Sequence, residues 1–179
     1  ATVADMNAAL GNSWAWSSAA CDLNGDGIPE LLASSYGRRP NHLWLGARDE
    51  FGRLLYENHS VASGYAYDLD QDWTTNLSAQ CFCADQPTAA DCDQVPRPNP
   101  QVCDGLRQSF GPNYRWHHPS GREAFNLGGN SGATTCADLD SDGDLDLLTG
   151  EIVHADVGSN SDAAEALLNT GEAPLRFQR

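Results

Sequence analysis

The sequence contains no lysine, a single methionine and no apolar run approaching the roughly 20 residues of a membrane span. All of its basic residues are arginines, and 25 acidic residues against 10 basic ones give a formal net charge of -15. Such a charge repels nucleic-acid phosphates and anionic lipids, so divalent cations are the favoured partners instead. A first residue Ala1, together with this lack of a long apolar run, predicts a mature chain whose signal peptide has been removed.

Helical periodicity is also scarce, and short β-prone runs alternate with Gly, Pro, Asn and Asp. The chain is therefore predicted to be all-β and to form one structural unit. One segment, 162–168, fits either a helical turn or a strand. The other predicted strands are 14–20, 30–35, 42–45, 54–56, 133–137 and 146–149.

The aromatic residues fall into two groups by position. Those on or beside predicted strands are expected in the core, namely Trp14, Trp16, Tyr36 and Trp44. Those near the middle of the chain are expected to be exposed contact residues, namely Tyr65, Tyr67, Trp73 and Trp116.

Six cysteines are present, and four of them lie between Cys81 and Cys103. An even number at this density is typical of disulfides formed in an oxidising compartment, which predicts secretion. A zinc site is the alternative, but it is less favoured because Cys81 and Cys83 lack the usual two-residue spacing and no histidine lies nearby. The connectivity is left open by the sequence.

Two stretches, 12–36 and 130–150, repeat one plan: a strand, an Asp-rich loop and a second strand. Two further short strands follow each copy, so the repeated unit has four antiparallel strands, as in a blade of a β-propeller. Residues 68–76 keep the acidic spacing but carry Trp73 in place of glycine, which is a candidate for a degenerate third copy. Residues 79–128 are rich in Pro and Cys and are predicted to form a disulfide-pinned loop insertion.

The acidic loops have the composition of a calcium cage. Oxygen-bearing side chains occupy positions 1, 3, 5 and 9 of each loop, and a backbone carbonyl at position 7 adds a ligand. Position 6 is Gly27 or Gly143, where the chain reverses and a positive φ is easiest for glycine. The candidate ligands are Asp22, Asn24, Asp26, Ile28 and Glu30 in the first loop, and Asp138, Asp140, Asp142, Asp144 and Asp146 in the second.

Other interpretations of the loops are weaker. An EF-hand needs a glutamate at position 12 between two helices, whereas Ala33 and Thr149 stand there between predicted strands. Magnesium prefers to keep several waters, and zinc prefers histidine or thiolate ligands. Turns without metal explain one such loop easily, but two in register within a repeat favour two calcium sites. For residues 68–76 the metal-free turn is favoured.

These motifs resemble FG-GAP and VCBS repeats, the calcium-loop blades of integrin-α-type propellers and of many secreted bacterial proteins. The resemblance covers residues 12–60 and 129–179, whereas residues 61–128 resemble the family poorly. It implies a propeller of about seven blades with calcium bound in the blade hairpins. Glu30 departs from the usual Asp at position 9, which implies a looser first site.

The domain organisation predicted from the resemblance has three parts: a first blade with a calcium loop at 1–60, a degenerate blade with the Cys- and Pro-rich insertion at 61–128, and a second blade with a calcium loop at 129–179. Two clear blades cannot close a ring, because closed propellers need at least four. The chain is therefore expected to be part of a larger propeller, a small irregular β-domain or a subunit completed by its neighbours.

Two classes of function remain. The first is a non-enzymatic calcium-binding extracellular module that binds protein or glycan partners, or copies of itself in a filament. The second is a secreted hydrolase or lyase whose site lies in the insertion and gathers His117, His118 or His154. The first is favoured because no nucleophile elbow, phosphate loop or zinc-protease motif is present. Asn58 and Asn76 match the short glycosylation pattern, which predicts a glycoprotein only in a host that glycosylates.

Overall fold

The computed structural model describes residues 15–35, 40–67, 74, 77–89, 92–110, 131–151 and 164–179. It contains two four-stranded antiparallel sheets in which the strands follow chain order, so the all-β prediction with blades of four strands is confirmed. In the segment 162–168, which fitted helix or strand, residues 165–168 belong to strand β7. The first sheet comprises β1 (Ala15–Cys21), β2 (Glu30–Ser35), β3 (His42–Arg48) and β4 (Leu54–Asn58), and the second comprises β5 (Ser131–Ala137), β6 (Asp146–Glu151), β7 (Glu165–Asn169) and β8 (Phe177–Gln178).

The insertion between the sheets differs from the predicted loop. It contains helix α1 (Leu77–Asp85), a 3₁₀ helix (Cys92–Gln94) and helix α2 (Pro100–Phe110). Helix α2 begins with an Asn-Pro pair, in which Asn99 Oδ1 accepts a hydrogen bond from the Gln101 amide at 3.1 Å. An asparagine cap followed by proline in the first turn is a helix-start signal, which the abundance of proline around it obscured.

All six cysteines form disulfides, in agreement with the prediction and against a zinc site. Two of the bonds brace the insertion: Cys81–Cys103 joins α1 to α2, and Cys83–Cys92 joins α1 to the 3₁₀ helix. The third, Cys21–Cys136, spans 115 residues and joins β1 to β5, which lie side by side. The two sheets are therefore covalently linked. Among the helices of the described residues, none has the length and apolar character needed to cross a bilayer.

A shared hydrophobic core lies between the sheets. Leu32 pairs with Leu43 in the first sheet, Leu147 pairs with Leu167 in the second, and all four side chains are buried in this core. Burying a leucine side chain stabilises the folded state by roughly 1.5–3 kcal/mol. The packing of these leucines therefore holds the two sheets together in addition to the disulfide.

Two aromatic predictions were wrong. Tyr65, expected to be exposed, is 1 % exposed in the core, where its hydroxyl contacts Thr134 Oγ1 at 2.7 Å. Burial raises the pKa of Tyr65 to about 12. Trp16, expected in the core, is 58 % exposed, because its neighbour Ser17 faces the second sheet and successive strand residues point to opposite sides.

The two sheets contact each other through opposite faces. Leu31 and Leu147 are equivalent, because each follows the ninth residue of its acidic loop. Leu147 is buried in the shared core, whereas in the first sheet the core position is taken by the next residue, Leu32. The residue equivalent to Leu32 is Leu148, which is 40 % exposed. The sheets are therefore arranged head to tail, as successive blades around an axis are, rather than face to face across a two-fold axis.

Candidate metal centre

Each acidic loop joins the first two strands of its sheet and curls through residues with positive φ. The predicted reversal at position 6 is confirmed, with φ of +82° at Gly27 and +102° at Gly143. Position 4 is also left-handed, with φ of +71° at Gly25 and +67° at Ser141. Only glycine adopts this conformation without a steric cost, so the second loop carries strain that the first avoids.

The second loop brings three carboxylates together. Oxygen atoms of Asp138, Asp140 and Asp146 all lie within 4.8 Å of one another. Asp146 is fully buried, and its two oxygens accept hydrogen bonds from the Leu139 amide at 2.7 Å and the Asn169 amide at 2.8 Å. The buried carboxylate thus closes the loop at its base, while the other two lie exposed above it.

The electrostatics of this group favour a cation. Desolvation, followed by repulsion from Asp142, Asp146 and Asp138, raises the pKa of Asp140. Carboxylate oxygens crowded in this way repel each other unless a positive charge lies between them. An all-oxygen set of anionic ligands fits a hard divalent cation, and calcium in particular accepts six to eight such ligands in flexible geometry. The residues present therefore fit the metal that the resemblance implies.

The first loop has a similar turn but lacks the group of three carboxylates. Asp22 accepts hydrogen bonds from the Asp26 amide at 3.1 Å and the Gly27 amide at 2.9 Å. The side-chain nitrogen of Asn24 donates to Asp26 Oδ2 at 3.1 Å. Among the described residues, this loop forms no group of three carboxylates like that of the second. The turn itself is built as in the second loop, where Asp138 accepts a hydrogen bond from the Gly143 amide at 3.2 Å.

Glu30 occupies position 9 of the first loop and is fully buried. Its Oε2 accepts a hydrogen bond from the Leu23 amide at 2.8 Å, and its Oε1 finds no hydrogen-bond partner among the described residues. Burial raises the pKa of Glu30, and interactions with the backbone, first of Leu23 and then of Gly46, offset part of that rise. A buried carboxylate oxygen without a donor is costly, and a metal ion is one group that would satisfy it.

The remaining candidate ligands are placed less directly. Asp142 lies outside the group of three carboxylates, and its Oδ1 accepts a hydrogen bond from the Asp144 amide at 2.9 Å. Ligation by the carbonyls of Ile28 and Asp144 stays a prediction. Asn169, which binds the base of the second loop, was missed by sequence reasoning. The signal that could have found it is the repeat itself, because Asn169 aligns with Gly46 when the two copies are superposed in sequence.

Several sequence predictions concern residues outside the described ranges. They include the degenerate acidic segment with Asp68, Asp70 and Asp72, and the glycosylation pattern at Asn76. The histidines proposed for an alternative catalytic site, His117, His118 and His154, also lie outside those ranges. Asn58 is described and lies exposed at the end of β4.

The fold and the site together define a class of protein built from propeller-type blades with an acidic loop in the first hairpin of each sheet. Residues 14–48, which span β1 to β3 and the first acidic loop, match the family model of the FG-GAP repeat. This part of the chain is therefore an FG-GAP repeat. Neither the search of curated proteins nor the search of solved structures gave a match. The disulfides and the repeat both fit an extracellular protein.

Proposed function

We propose that the protein is a calcium-binding structural or adhesion module of the extracellular space. The observation that carries this proposal is the convergence of Asp138, Asp140 and Asp146 in the second loop. Calcium would neutralise these carboxylates and bind the two strands of each hairpin together. Its ligands would come from Asp138, Asp140, Asp142, Asp144 and Asp146 in one site, and from Asp22, Asn24, Asp26, Ile28 and Glu30 in the other.

Calcium is favoured over other divalent ions by the chemistry of the ligands. The second loop offers several carboxylates from a flexible segment, whereas magnesium demands near-octahedral geometry and keeps most of its waters. Neither loop contains histidine. The cysteines nearest to the loops, Cys21 and Cys136, are bonded to each other, so the usual zinc ligands are lacking there. The matched FG-GAP repeat supports the same choice, because the family resemblance implies calcium in the blade hairpins.

Calorimetric titration of the chelator-stripped protein tests the proposal. We expect two calcium ions to bind, and at a hundredfold excess over Kd each site would add about 2.7 kcal/mol to the free energy of unfolding. Asp140→Asn should weaken one site and leave the other. The matched control is Asp49→Asn, which removes a carboxylate from the β3–β4 turn and should leave both sites intact. A flat titration would contradict the proposal.

Self-assembly is a second candidate function, and the head-to-tail packing of the sheets favours it. The inner face of the first sheet, with Leu32, packs on the face of the second sheet that carries Leu147. The outer face of the second sheet carries Leu148 and Ala166, the equivalents of Leu32 and Leu43, and both are exposed. This outer face is therefore suited to pack against the first sheet of another copy, on the face that carries Leu31. Such contacts generate a ring if the rotation closes and a filament if it does not.

Light scattering of the calcium-loaded protein over a range of concentrations tests this assembly. We expect the mass to rise with concentration and Leu148→Glu to keep the protein monomeric. Phe51→Glu is the matched control, because Phe51 is 73 % exposed in the β3–β4 turn and lies on neither open sheet face. A mass that stays monomeric at every concentration would rule out self-assembly and leave a different extracellular protein or glycan as the partner.

A further inference from the structure

Asn169 is a buried residue at the end of β7 that contacts both acidic loops. It is 4 % exposed, and its Nδ2 donates to the carbonyl of Leu23 in the first loop at 2.7 Å. The same nitrogen donates to the carbonyl of Leu145 in the second loop at 3.2 Å. Its backbone amide donates to Asp146 Oδ1 at 2.8 Å, and its Oδ1 accepts from the Gly171 amide at 3.1 Å. One side chain therefore ties the bases of the two loops together.

The connection continues to the other side of the first loop. Leu23, whose carbonyl binds Asn169, donates its own amide to Glu30 Oε2 at 2.8 Å. The side chain of Leu23 is 2 % exposed and lies in the core between the sheets. The two buried carboxylates, Glu30 and Asp146, are thus joined through Leu23 and Asn169 by consecutive hydrogen bonds. Displacing either carboxylate has to move a group that the other loop also uses.

The starts of the two loops are also held in common. Cys21 immediately precedes Asp22, Cys136 lies two residues before Asp138, and these cysteines form the disulfide between the sheets. The first loop is therefore held at its start by both the disulfide and Asn169, whereas the second loop is held at its start by the disulfide and at its end by Asn169. Rearrangement of one loop cannot be absorbed at either point without an effect on the other.

We propose that Asn169 is a positioning residue that makes ion binding in the two loops cooperative. The inference rests on the proposed function, in which both loops bind calcium. An ion in the second loop would fix Asp146, and with it Asn169 and the Leu23 carbonyl. The first loop would then bind its ion with less loss of conformational entropy, which is positive coupling without a large structural change. By linkage, the first ion strengthens the second by the same factor.

This link is not a general requirement of the repeat. Gly46 stands at the equivalent position of the first sheet, and a Cβ there would lie 2.5 Å from Ile28 Cγ2. No side chain at Gly46 has room beside Ile28, so the first sheet has no counterpart of Asn169. The second sheet therefore supplies the only side-chain bond of this type between the loops within the described residues, and its removal should uncouple them.

Calorimetric calcium titration of loop-selective variants tests the proposal. Asp22→Asn, which disables the first loop, should weaken calcium binding in the second loop about fivefold, at the lower end of typical allosteric coupling. In an Asn169→Asp background, which loses the Nδ2 donor, the same change should leave the second affinity unaltered. Asn169→Ser adds no charge and is the second variant, so the result does not depend on one substitution that alters folding.

Asn41→Asp is the matched control. Asn41 is 5 % exposed and also joins the two sheets, through a 2.9 Å bond from its Nδ2 to Ser131 Oγ, but it contacts neither acidic loop. We expect it to lower the thermal midpoint of the calcium-free protein as Asn169→Asp does, while the fivefold coupling persists. The inference would be overturned if the two ions bind independently in the unmodified protein. It would also be overturned if the coupling persists in the Asn169→Asp and Asn169→Ser variants. A complete lack of calcium binding would instead overturn the proposed function.

Discussion

The two acidic loops share one spacing but differ in how their carboxylates are held. In the second loop Asp146 receives hydrogen bonds on both oxygens, and Asp138 and Asp140 converge above it. In the first loop Glu30 is bonded through one oxygen and no three carboxylates of the described residues converge, although Asp22 accepts the Gly27 amide as Asp138 accepts the Gly143 amide. The loops therefore share the path of the chain, but the first has Asn24 where the second has Asp140 and so offers one carboxylate fewer to such a group.

The largest effect on this comparison is expected from removing the covalent link between the loops. Replacing Cys21 and Cys136 together with serine should lower the free energy of unfolding by about 5 kcal/mol, because the bond closes a segment of 115 residues. Replacing Cys83 and Cys92, whose separation is 9, should remove only about 2.5 kcal/mol. Denaturant unfolding of the calcium-free variants measures both, and equal losses would contradict the loop-length argument.

A second comparison concerns the residues at position 9 of the two acidic loops and their contributions to stability. Asp146→Asn places an amide nitrogen against a backbone N–H donor, which should lower the stability of the calcium-free protein by about 2–3 kcal/mol. Glu30→Gln retains an oxygen for the Leu23 amide and replaces an oxygen without a partner, so its effect should stay below about 1 kcal/mol. Chemical denaturation in chelator is the measurement. A larger loss for Glu30→Gln would show that the first loop is as tightly organised as the second.

The first sheet also contains a pH-sensitive residue. Burial lowers the pKa of His42, which is 6 % exposed, and its Nε2 has no hydrogen-bond partner in the described parts of the chain. Below pH of about 6.5 the unfolded histidine takes up a proton that the folded one does not. Stability should therefore fall as the pH drops below this value, by at most about 1.4 kcal/mol per pH unit.

Thermal unfolding of the calcium-free protein between pH 7.5 and pH 5.5, about one unit either side of the ordinary pKa of an unfolded histidine, measures this dependence. His42→Phe should flatten the slope. His59→Gln is the control, because His59 contacts the Leu175 carbonyl at 3.0 Å and the variant still contains His42. A slope that survives in His42→Phe would assign the dependence to other groups.

The last comparison exchanges the fourth residues of the two loops. Gly25→Ser introduces a side chain at a φ of +71° and should lower stability by about 1–2 kcal/mol. Ser141→Gly relieves the same conformation but increases the freedom of the unfolded chain, so a gain below about 1 kcal/mol is expected. Differential calorimetry of the calcium-free variants gives both values, and a loss for Ser141→Gly would show that its hydroxyl has a structural role.

Much of the fold was predictable because alternating residues and Asp-Gly turns are local signals. The strands that flank each acidic loop and the reversals at Gly27 and Gly143 followed from such patterns. The burial of Tyr65 was not predictable, because it depends on a contact with Thr134, 69 residues away. The convergence at Asp140 likewise depends on side-chain directions, and the role of Asn169 depends on a carbonyl 146 residues distant. Spacing within a loop contains none of this information.

The disulfide between β1 and β5 has a consequence for the segment that follows Tyr67. With the two strands covalently joined, the meeting of the sheets no longer depends on the length of the connection between them. Doubling a flexible connection adds only about 0.6 kcal/mol to the free energy of closing it. Helices α1 and α2 have their own disulfide and an ion pair between Arg107 and Asp85. Lengthening, shortening or replacing this segment should therefore leave the relative orientation of the two sheets unchanged.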